Sequence, residues 1–504
     1  MLQFLACYSG ALDQRVKVTA VSGFRQVVAL QEQPIYRNVW AINREFGGPA
    51  IVGLLAPREF IYETGQFPET QYPPPGQGSD GAAPGKLARP DPAEVEAELP
   101  LAKEWLEGVP GVDGWKFIQG KPDEIGTDET LSAFLDGLGL AYTGSDSPVK
   151  ASAPAADNQK KLLRQYSQIL EDTQSLMRES EFTRRDFWNK AVRTNAGAFV
   201  ESAKWYRDYF LNEIVGPISP ASLPPNPRSR QISETDKFTG YEVVLDVHPN
   251  VFAYGILLIP KGIKPGEKRP VVVCQHGLEG YAREVAGPKI DSAYYHRFAV
   301  RLAEEGFVTF APQNPYIGEN RFRLIQRQAH PLKLSLFSFI LGQHQRLLEW
   351  LGGLAFVDRE RIGFYGLSYG GKTAMRVPPL LDGYALSICS ADFNEWIWKT
   401  TRPDSRYCYM LTREYDMLEF NLANVANYSD LANLMAPRPF MVERGHDDPV
   451  APDEWVAYEY AKVRRFYSRL GIPDRTEIEF FNGPHTIHGV GTFAFLRRHL
   501  QRAR

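Results

Sequence analysis

A serine sits in a glycine-rich turn between an apolar run and a helix-like segment. The turn reads GLSYGG at 366–371, after RIGFY and before KTAMRV. Glycines allow a sharp turn and a close approach of other segments, so the serine oxygen stays open to substrate. We therefore predict that Ser368 is a nucleophile and that the Tyr369 N–H, at the helix start, faces an oxyanion. An ordinary serine in a glycine-rich turn is the alternative.

A serine nucleophile needs a base, and two histidines follow the last apolar run of the chain. The segment TEIEFFNGPHTIHG contains His485 and His488. His485 lies four residues past the apolar run, directly after a Gly-Pro pair, and is the predicted base. His488 is the alternative, and either histidine could be an ordinary loop residue.

The imidazole in turn needs a carboxylate that orients it and stabilises its charge. The strand-like RPFMVER is followed by GHDDPVAP at 445–452, where Asp448 lies three residues past the glycine. Asp448 is the predicted acid, and Asp447 is the alternative. A second oxyanion donor is expected from VVVCQHGLEG at 271–280, with Leu278 N–H as the donor and His276 as a structural residue.

The elements that must position these residues begin near Gly240. YEVVLDV and FAYGILLIP read as paired strands, and apolar strands then alternate with helical segments. From Val271 onward the strands are near-continuous apolar runs, which is typical of a mostly parallel sheet covered on both faces. The predicted fold class is therefore α/β, with the serine, the aspartate and the histidine each following a strand.

Length and composition set limits on the protein class. With 504 residues, two or more domains are expected, and a net charge of −3 gives no reason to predict nucleic acid or an anionic membrane as partner. The four cysteines form no CxxC pair, so a structural zinc site is not predicted. No apolar run reaches the roughly 20 residues of a spanning helix. We expect a cytoplasmic protein from the chain as given, or a secreted one if a further segment precedes Met1.

An internal repeat defines the predicted organisation. APREFIYETG (56–65) matches APRPFMVERG (436–445), and flanking matches pair 11–24 with 380–393 and 116–135 with 479–496 in the same order. We predict a truncated hydrolase-like half-domain at 1–142, a linker and helical segment at 143–238, and a catalytic domain at 239–504. A loop or disordered insertion is expected at 68–92.

The first copy departs from the second at the positions that carry chemistry. Pro68, with Glu69 beside it, stands where the second copy has Asp448, and GKPDE contains no histidine. The half-domain is therefore predicted to be non-catalytic. It could cover the active domain or mediate dimerisation, and a homodimer is one possible assembly.

These motifs resemble the α/β-hydrolase superfamily, and most closely its acetyl xylan esterase, dienelactone hydrolase and prolyl-oligopeptidase branch. The resemblance rests on QHG at 275–277, VDRERIGFYGLSYGG at 357–371, APRPFMVERGHDDPVAP at 436–452 and FNGPHTIHG at 481–489. It implies an α/β-hydrolase fold and hydrolysis of an ester, thioester or amide through an acyl-enzyme, without a metal or cofactor.

Two segments are expected to contact the substrate. Arg321, Arg323 and Arg327 could bind a carboxylate, a sugar acid or a phosphate, although a solvated basic helix face is the alternative. Trp396 and Trp398, in the insertion 392–420, could line an aromatic pocket, or could pack within a cap.

The leading hypothesis is a serine esterase that acts on acyl or aryl esters, for example those of plant polysaccharide. A prolyl-oligopeptidase-type peptidase is the second hypothesis, but the chain shows no propeller repeats of about 40 to 50 residues. A non-catalytic scaffold is the third hypothesis.

Overall fold

The computed structural model describes residues 2–23, 38–64, 69–72, 85–87, 93, 104, 106–120, 124–142, 144, 158–217, 219–319, 321–409 and 417–501. The chain forms two compact units. The first comprises Met1–Gln165 with Arg327–Lys333, and the second comprises Tyr166–Gln326 with Leu334–Arg504.

The first unit contains two small sheets. Its strands are β1 (Val18–Ser22), β2 (Glu59–Glu63), β3 (Thr70–Tyr72), β4 (Gly85–Leu87) and β5 (Lys116–Ile118). Its helices are α1 (Leu2–Leu12), α2 (Gly47–Gly53) and α3 (Asp128–Gly137), with a π-helical turn at Ile42–Phe46 and a 3-10 turn at Val112–Gly114.

Strands β1, β2 and β5 pair in parallel, with β2 in the centre. Alternate residues of β2 enter different apolar clusters, as the period of a strand requires. Phe60 and Tyr62 pack with Trp115, whereas Ile61 packs with Ala133 of α3. The sheet is therefore covered on both faces despite its small size.

Strands β3 and β4 pair antiparallel inside the segment that was predicted to be a loop or disordered insertion. The prediction at 68–92 is thus wrong at these two short strands, because the Pro- and Gly-rich composition outweighed the local strand signal in TQY and GKL. Pro68 and most of this segment lie outside the described residues.

The second unit contains one sheet of nine strands. They are β6 (Arg228–Glu234), β7 (Phe238–His248), β8 (Val251–Pro260), β9 (Arg269–Gln275), β10 (Val308–Pro312), β11 (Val357–Leu367), β12 (Leu386–Ser390), β13 (Phe440–Gly445) and β14 (Thr476–Phe481).

The spatial order of these strands is β14-β13-β12-β11-β9-β10-β8-β7-β6. The six strands from β14 to β10 are mutually parallel, and β8, β7 and β6 continue the sheet antiparallel. Parallel neighbours need crossovers, which helices supply. This mostly parallel order, with a strand–serine–helix turn after β11, confirms the predicted α/β-hydrolase fold.

Helices follow in chain order from Asn158. They are α4 (Asn158–Phe187), α5 (Ala196–Tyr209), α6 (Ala282–Ala286), α7 (Phe298–Glu304), α8 (Arg321–Ala329), α9 (Leu336–Gly353), α10 (Tyr369–Arg376), α11 (Trp396–Thr401), α12 (Leu422–Val425), α13 (Tyr428–Asn433), α14 (Asp453–Arg469) and α15 (Gly491–Leu500). Shorter turns lie at Trp188–Lys190, Phe210–Val215, His330–Leu332 and Pro473–Arg475.

Both faces of the large sheet are buried. Val271 and Val273 of β9 join the apolar cluster that contains residues of α9, α10 and α14. Val272 and Cys274 join a second cluster, with residues of α7 and α15. Successive residues of a strand point to opposite faces, so the near-continuous apolar run of β9 is explained by helices on both sides.

The boundary between the helical segment and the catalytic domain differs from the predicted one. The large sheet already begins at Arg228, and Trp188 and Phe199 belong to the same apolar cluster as Val271. These large side chains are buried in the second unit, which therefore extends from Tyr166. No helix of the described part of the chain is long and apolar enough to cross a membrane.

Candidate active site

Ser368 occupies the turn between β11 and α10. Its φ is +60° and its ψ is −119°, a conformation that costs a residue with a side chain about 1–3 kcal/mol. The turn is held from both sides, because Ser368 N–H donates to the Ser390 carbonyl at 2.9 Å and the Ser368 carbonyl accepts from Lys372 N–H at 2.8 Å. A strained residue at a strand–helix junction is the geometry of a nucleophile elbow.

Two glycines permit the segments around Ser368 to approach one another. A Cβ on Gly370 would lie 2.6 Å from the Gln275 carbonyl oxygen, and a Cβ on Gly277 would lie 3.1 Å from Ser368 Cβ. The loop after β9 and the elbow after β11 are therefore in direct contact. This contact brings the predicted oxyanion loop to the predicted nucleophile.

Asp448 is buried in the loop after β13, with an exposed fraction of 3 %. Its Oδ1 accepts from Val450 N–H at 2.8 Å, and its Oδ2 lies 2.9 Å from His485 Nδ1. Asp447, the alternative, is exposed, and its N–H donates to the Gly483 carbonyl at 3.0 Å. Of the two neighbouring carboxylates, the geometry favours Asp448.

The two candidate histidines lie in the loop after β14 and have different partners. The His485 side chain, with an exposed fraction of 19 %, contacts Asp448. His488 Nδ1 lies 2.8 Å from Glu479 Oε1, and its ring stacks on Phe481 at 4.4 Å. His488 is thus bound to the edge strand β14, and the acid contacts His485.

The strand order places the three predicted residues at one edge of the sheet. Strands β11, β13 and β14 run parallel, so Ser368, Asp448 and His485 all follow carboxyl ends of strands. The Asp448–His485 hydrogen bond is present. Among the described residues, the Ser368 hydroxyl makes no hydrogen bond to the His485 ring; catalytic hydrogen bonds are often formed only with substrate bound.

Leu278 lies in the loop after β9. Its neighbours are fixed, since Gly277 N–H donates to the Tyr295 hydroxyl at 2.9 Å and Glu279 N–H donates to the Tyr316 carbonyl at 3.1 Å. Within the described ranges, no protein acceptor receives the Leu278 N–H. An N–H held in this way beside the elbow is suited to receive a developing oxyanion, together with Tyr369 N–H at the start of α10.

His276 fixes this loop and is fully buried. Its Nδ1 lies 2.7 Å from the Gly277 carbonyl oxygen, and its Nε2 accepts from Asn314 N–H at 3.1 Å. Burial lowers the pKa of His276 to about 4, so the ring is neutral at neutral pH. The hydrogen bonds agree with the structural role predicted from the sequence.

Two buried cations follow Ser368 on α10. Lys372 Nζ lies 5.0 Å from the Trp396 ring centroid and 5.3 Å from that of Tyr369. Arg376 forms an ion pair of 2.5 Å with Glu419. Trp396 is 2 % exposed and stacks on Tyr428 at 4.9 Å, which places it within the packed cap next to these cations.

The other predicted substrate contacts differ in their burial. Trp398 is half-buried and stacks on Tyr458 at 5.7 Å. Arg321 is exposed, whereas Arg323 and Arg327 are buried, with 8 % and 1 % exposed. The alternative interpretation, a basic helix face exposed to solvent, therefore applies to Arg321 but not to Arg323 or Arg327. Substrate binding by these five residues, including Trp396, remains a prediction.

Sequence reasoning missed the residues that hold the acid loop. Arg444, at the end of β13, contacts Asp448 and Ala451. Lys399 of α11 donates to the carbonyls of Val450 and Tyr407. Burial lowers the pKa of Lys399 to about 8. The repeat offered a signal for Arg444, because ERG of the second copy reads ETG in the first.

Comparison with solved structures gives several similar folds. A glucuronoyl esterase from Solibacter usitatus matches with 15 % identity over 60 % of this chain and 93 % of its own, at a TM-score of 0.46. A glucuronoyl esterase from Teredinibacter turnerae matches with 16 % identity over 60 % and 85 %, at 0.43. An acetyl xylan esterase from Paenibacillus sp. R4 matches with 16 % identity over 63 % and 99 %, at 0.38. No protein-family model matches the chain. The fold assignment rests on this chain's own strand order.

Proposed function

We propose that the protein is a serine esterase with Ser368 as nucleophile, His485 as base and Asp448 as acid. The observation that carries the proposal is the buried Asp448–His485 hydrogen bond of 2.9 Å at the sheet edge that also bears the Ser368 elbow. A buried carboxylate that binds Nδ1 selects the imidazole tautomer whose Nε2 can accept the serine proton.

The mechanism has two halves. Ser368 Oγ attacks the ester carbonyl carbon while its proton passes to His485 Nε2, and Asp448 stabilises the resulting imidazolium. The Leu278 and Tyr369 N–H groups receive the carbonyl oxygen as it becomes negative. The alcohol leaves with the proton from His485, and a water molecule then releases the acid from the acyl-enzyme by the same steps.

The substrate class that we propose is a small acyl or aryl ester of a carbohydrate. The insertion at 392–420 presents the half-buried side chains of Trp398 and Tyr407, and its Lys399 donates to the Val450 carbonyl in the Asp448 loop. Aromatic faces and a few charged groups are suited to sugars and aryl groups. We propose no metal or cofactor, because the acyl-enzyme route needs neither.

The test combines covalent labelling with turnover. Wild type should react with a fluorophosphonate and hydrolyse p-nitrophenyl acetate and butyrate. Ser368→Ala should abolish labelling, and His485→Ala should lower kcat/KM by about 10³- to 10⁴-fold. His488→Ala and Asp447→Asn are matched controls from the same loops, and both should stay within about threefold of wild type.

The alternatives give different outcomes in the same experiment. Faster turnover of amino-acyl p-nitroanilides than of p-nitrophenyl esters would favour a peptidase. A folded wild type that neither labels nor turns over would favour a scaffold. Release of acetate from acetylated xylo-oligosaccharides, compared with p-nitrophenyl acetate, would then test the carbohydrate part of the proposal.

A further inference from the structure

Arg444 is a buried arginine at the carboxyl end of β13, four residues before the predicted acid. Its exposed fraction is 3 %. An arginine buried to this extent is costly unless its nitrogen atoms are paired. Its partners therefore show what it does in the fold.

All of these partners lie on the loop that carries Asp448 or on the helix that follows. Arg444 Nη1 lies 3.2 Å from Asp448 Oδ2, and Nη2 donates to the Asp448 carbonyl at 2.9 Å. Nη2 also donates to the Ala451 carbonyl, and Nε donates to Asp453 Oδ1 at 3.0 Å. The planar guanidinium thus fixes the loop at its start and end, while Asp453 at the start of α14 holds the guanidinium itself.

One carboxylate oxygen is shared between the arginine and the base. Asp448 Oδ2 accepts from His485 Nδ1 at 2.9 Å and also faces Arg444 Nη1, whereas Oδ1 accepts from Val450 N–H. The arginine therefore fixes the direction of this oxygen. It also offsets part of the negative charge that would stabilise an imidazolium at His485.

The other charged group next to this loop comes from the insertion. Lys399 is 2 % exposed and donates to the Val450 and Tyr407 carbonyls. Its Nζ also lies 4.1 Å from the Tyr409 ring centroid. Among the described lysines and arginines, Arg444 is therefore the one that forms an ion pair with the Asp448 carboxylate.

The internal repeat supplies an independent comparison. Glu63-Thr64 in the first copy stands where the second copy has Glu443-Arg444. The copy that is predicted to lack the acid and the base also lacks this arginine. An arginine needed only for the sheet would be expected in both copies.

We infer that Arg444 is a positioning residue for the reaction: it sets the direction and the effective charge of the Asp448 carboxylate that orients His485. This inference rests on the proposed function. It assigns Arg444 no contact with the substrate.

The test compares Arg444→Lys and Arg444→Met by kcat, KM, the pH profile and thermal unfolding. In Arg444→Met we expect kcat to fall about 10- to 100-fold with KM within about threefold, because loss of orientation affects the transition state. The acid limb of the pH profile should move to higher pH, since loss of the arginine charge leaves the full negative charge of the carboxylate beside the imidazolium. Arg444→Lys keeps the positive charge but lacks the planar guanidinium that contacts several acceptors at once. Its kcat should therefore fall, while the pH of the acid limb should stay at the wild-type value.

Arg438 provides the matched control, because it is a largely buried arginine at the opposite end of β13. Its Nη1 donates to the Leu381 and Tyr384 carbonyls at 3.0 and 2.9 Å. Arg438→Met should lower Tm as much as Arg444→Met does, yet leave kcat and the acid limb as in wild type at temperatures where both variants are folded.

Should Arg444→Met fail to fold, Asp453→Asn carries the test, since it weakens the anchor on Nε and should lower kcat several-fold. A folded Arg444→Met with wild-type kcat and pH profile, or with only KM changed, would overturn the inference. That result, with active wild type, leaves the esterase proposal intact. An inactive wild type that does not label overturns the proposed function instead.

Discussion

Two parts of the chain, β1-β2-β5 in the first unit and β12-β13-β14 in the second, have the same internal framework. Each contains three parallel strands in the same order. Arg58 Nη1 donates to the carbonyls of Asp13 and Val16, and Arg438 Nη1 donates to those of Leu381 and Tyr384. Both arginines thus join the start of the central strand to the turn before its neighbour.

A buried glutamate lies at the end of β2 and two residues before the end of β13. Glu63 accepts from Gly126 N–H at 2.8 Å and from the Thr130 hydroxyl at 2.8 Å. Glu443 accepts from Gly489 N–H at 3.0 Å and from the Thr492 hydroxyl at 3.2 Å. Each glutamate therefore ties its strand to the N-terminal end of the following helix, and we propose that the two parts are copies of one half-domain.

The difference between the parts begins one residue later. After Glu443 come Arg444 and the loop with Asp448, and the loop after β14 carries His485. In the first part, Thr64 follows Glu63. The segment between β5 and α3 contains no histidine. The two parts thus share the arginine–carbonyl and glutamate–helix contacts of the framework, whereas the residues of the proposed chemistry lie only in the loops of the second part.

The largest expected effect is on kcat/KM, and it should be seen when a carboxylate is changed in the second part but not in the first. Asp448→Asn should lower kcat/KM for p-nitrophenyl acetate by about 10³- to 10⁴-fold, because the asparagine cannot hold the imidazole in the correct tautomer or stabilise its charge. Glu69→Gln changes the carboxylate next to Pro68, the residue that matches Asp448 in the first copy, and should leave kcat/KM within about twofold. Loss of activity in Glu69→Gln would show that the first copy takes part in catalysis.

A smaller effect, on the free energy of unfolding, is expected from changes to the arginine–carbonyl contacts that both parts share. Arg58→Met and Arg438→Met should each cost about 1–3 kcal/mol of unfolding free energy, since each leaves several partly buried carbonyls without donors. Hydrogen exchange followed by mass spectrometry should show faster exchange in β1 and β2 for the first variant, and in β12 and β13 for the second.

Arg15→Met is the control for these framework variants, because the Arg15 side chain is 90 % exposed and pairs only with Asp13 among the described residues. It should leave the unfolding free energy and the hydrogen exchange of all these strands as in wild type. Equal loss of protection in all three variants would contradict a specific role for Arg58 and Arg438.

Sequence patterns predicted the α/β fold and the strand–loop positions of Ser368, Asp448 and His485 because apolar runs, glycines and the order of motifs are local signals. Taken without a gap, the predicted match of 11–24 with 380–393 pairs Ser22 with Ala391. Strand pairing places Ser22 opposite Glu63 and Ser390 opposite Glu443, so that Ser22 corresponds to Ser390. A one-residue gap in the turn before the strand cannot be located when the two copies are compared by residue similarity alone.

The support around the site could not be predicted from the sequence. Arg444 reads as an ordinary strand residue unless the two copies are compared. Tyr295 and Lys399 lie far from Gly277 and Val450 in the chain. Their roles follow from long-range contacts that periodicity does not encode. The same reason explains why Trp396 reads as a pocket residue in the sequence but is 2 % exposed and stacked on Tyr428 in the fold.

The smallest expected effect concerns the glutamate of the first copy and its pH dependence. Burial by itself raises the pKa of Glu63, but the Ser22 hydroxyl and hydrogen bonds from Thr127 and Gly126 outweigh it and lower that pKa to about 2, from 4.5. A folded-state pKa below the unfolded one means that the ionised carboxylate stabilises the fold above about pH 4.5, and that this contribution is lost as the pH falls towards about 2.

Glu63→Gln should therefore cost about 1–2 kcal/mol of unfolding free energy at neutral pH. This loss should be measurable as faster hydrogen exchange in β2, and Glu59→Gln on the same strand is the control. The gap in unfolding free energy between wild type and Glu63→Gln should narrow below about pH 4.5; a gap that widens there would contradict ionised Glu63 as the tie between β2 and α3.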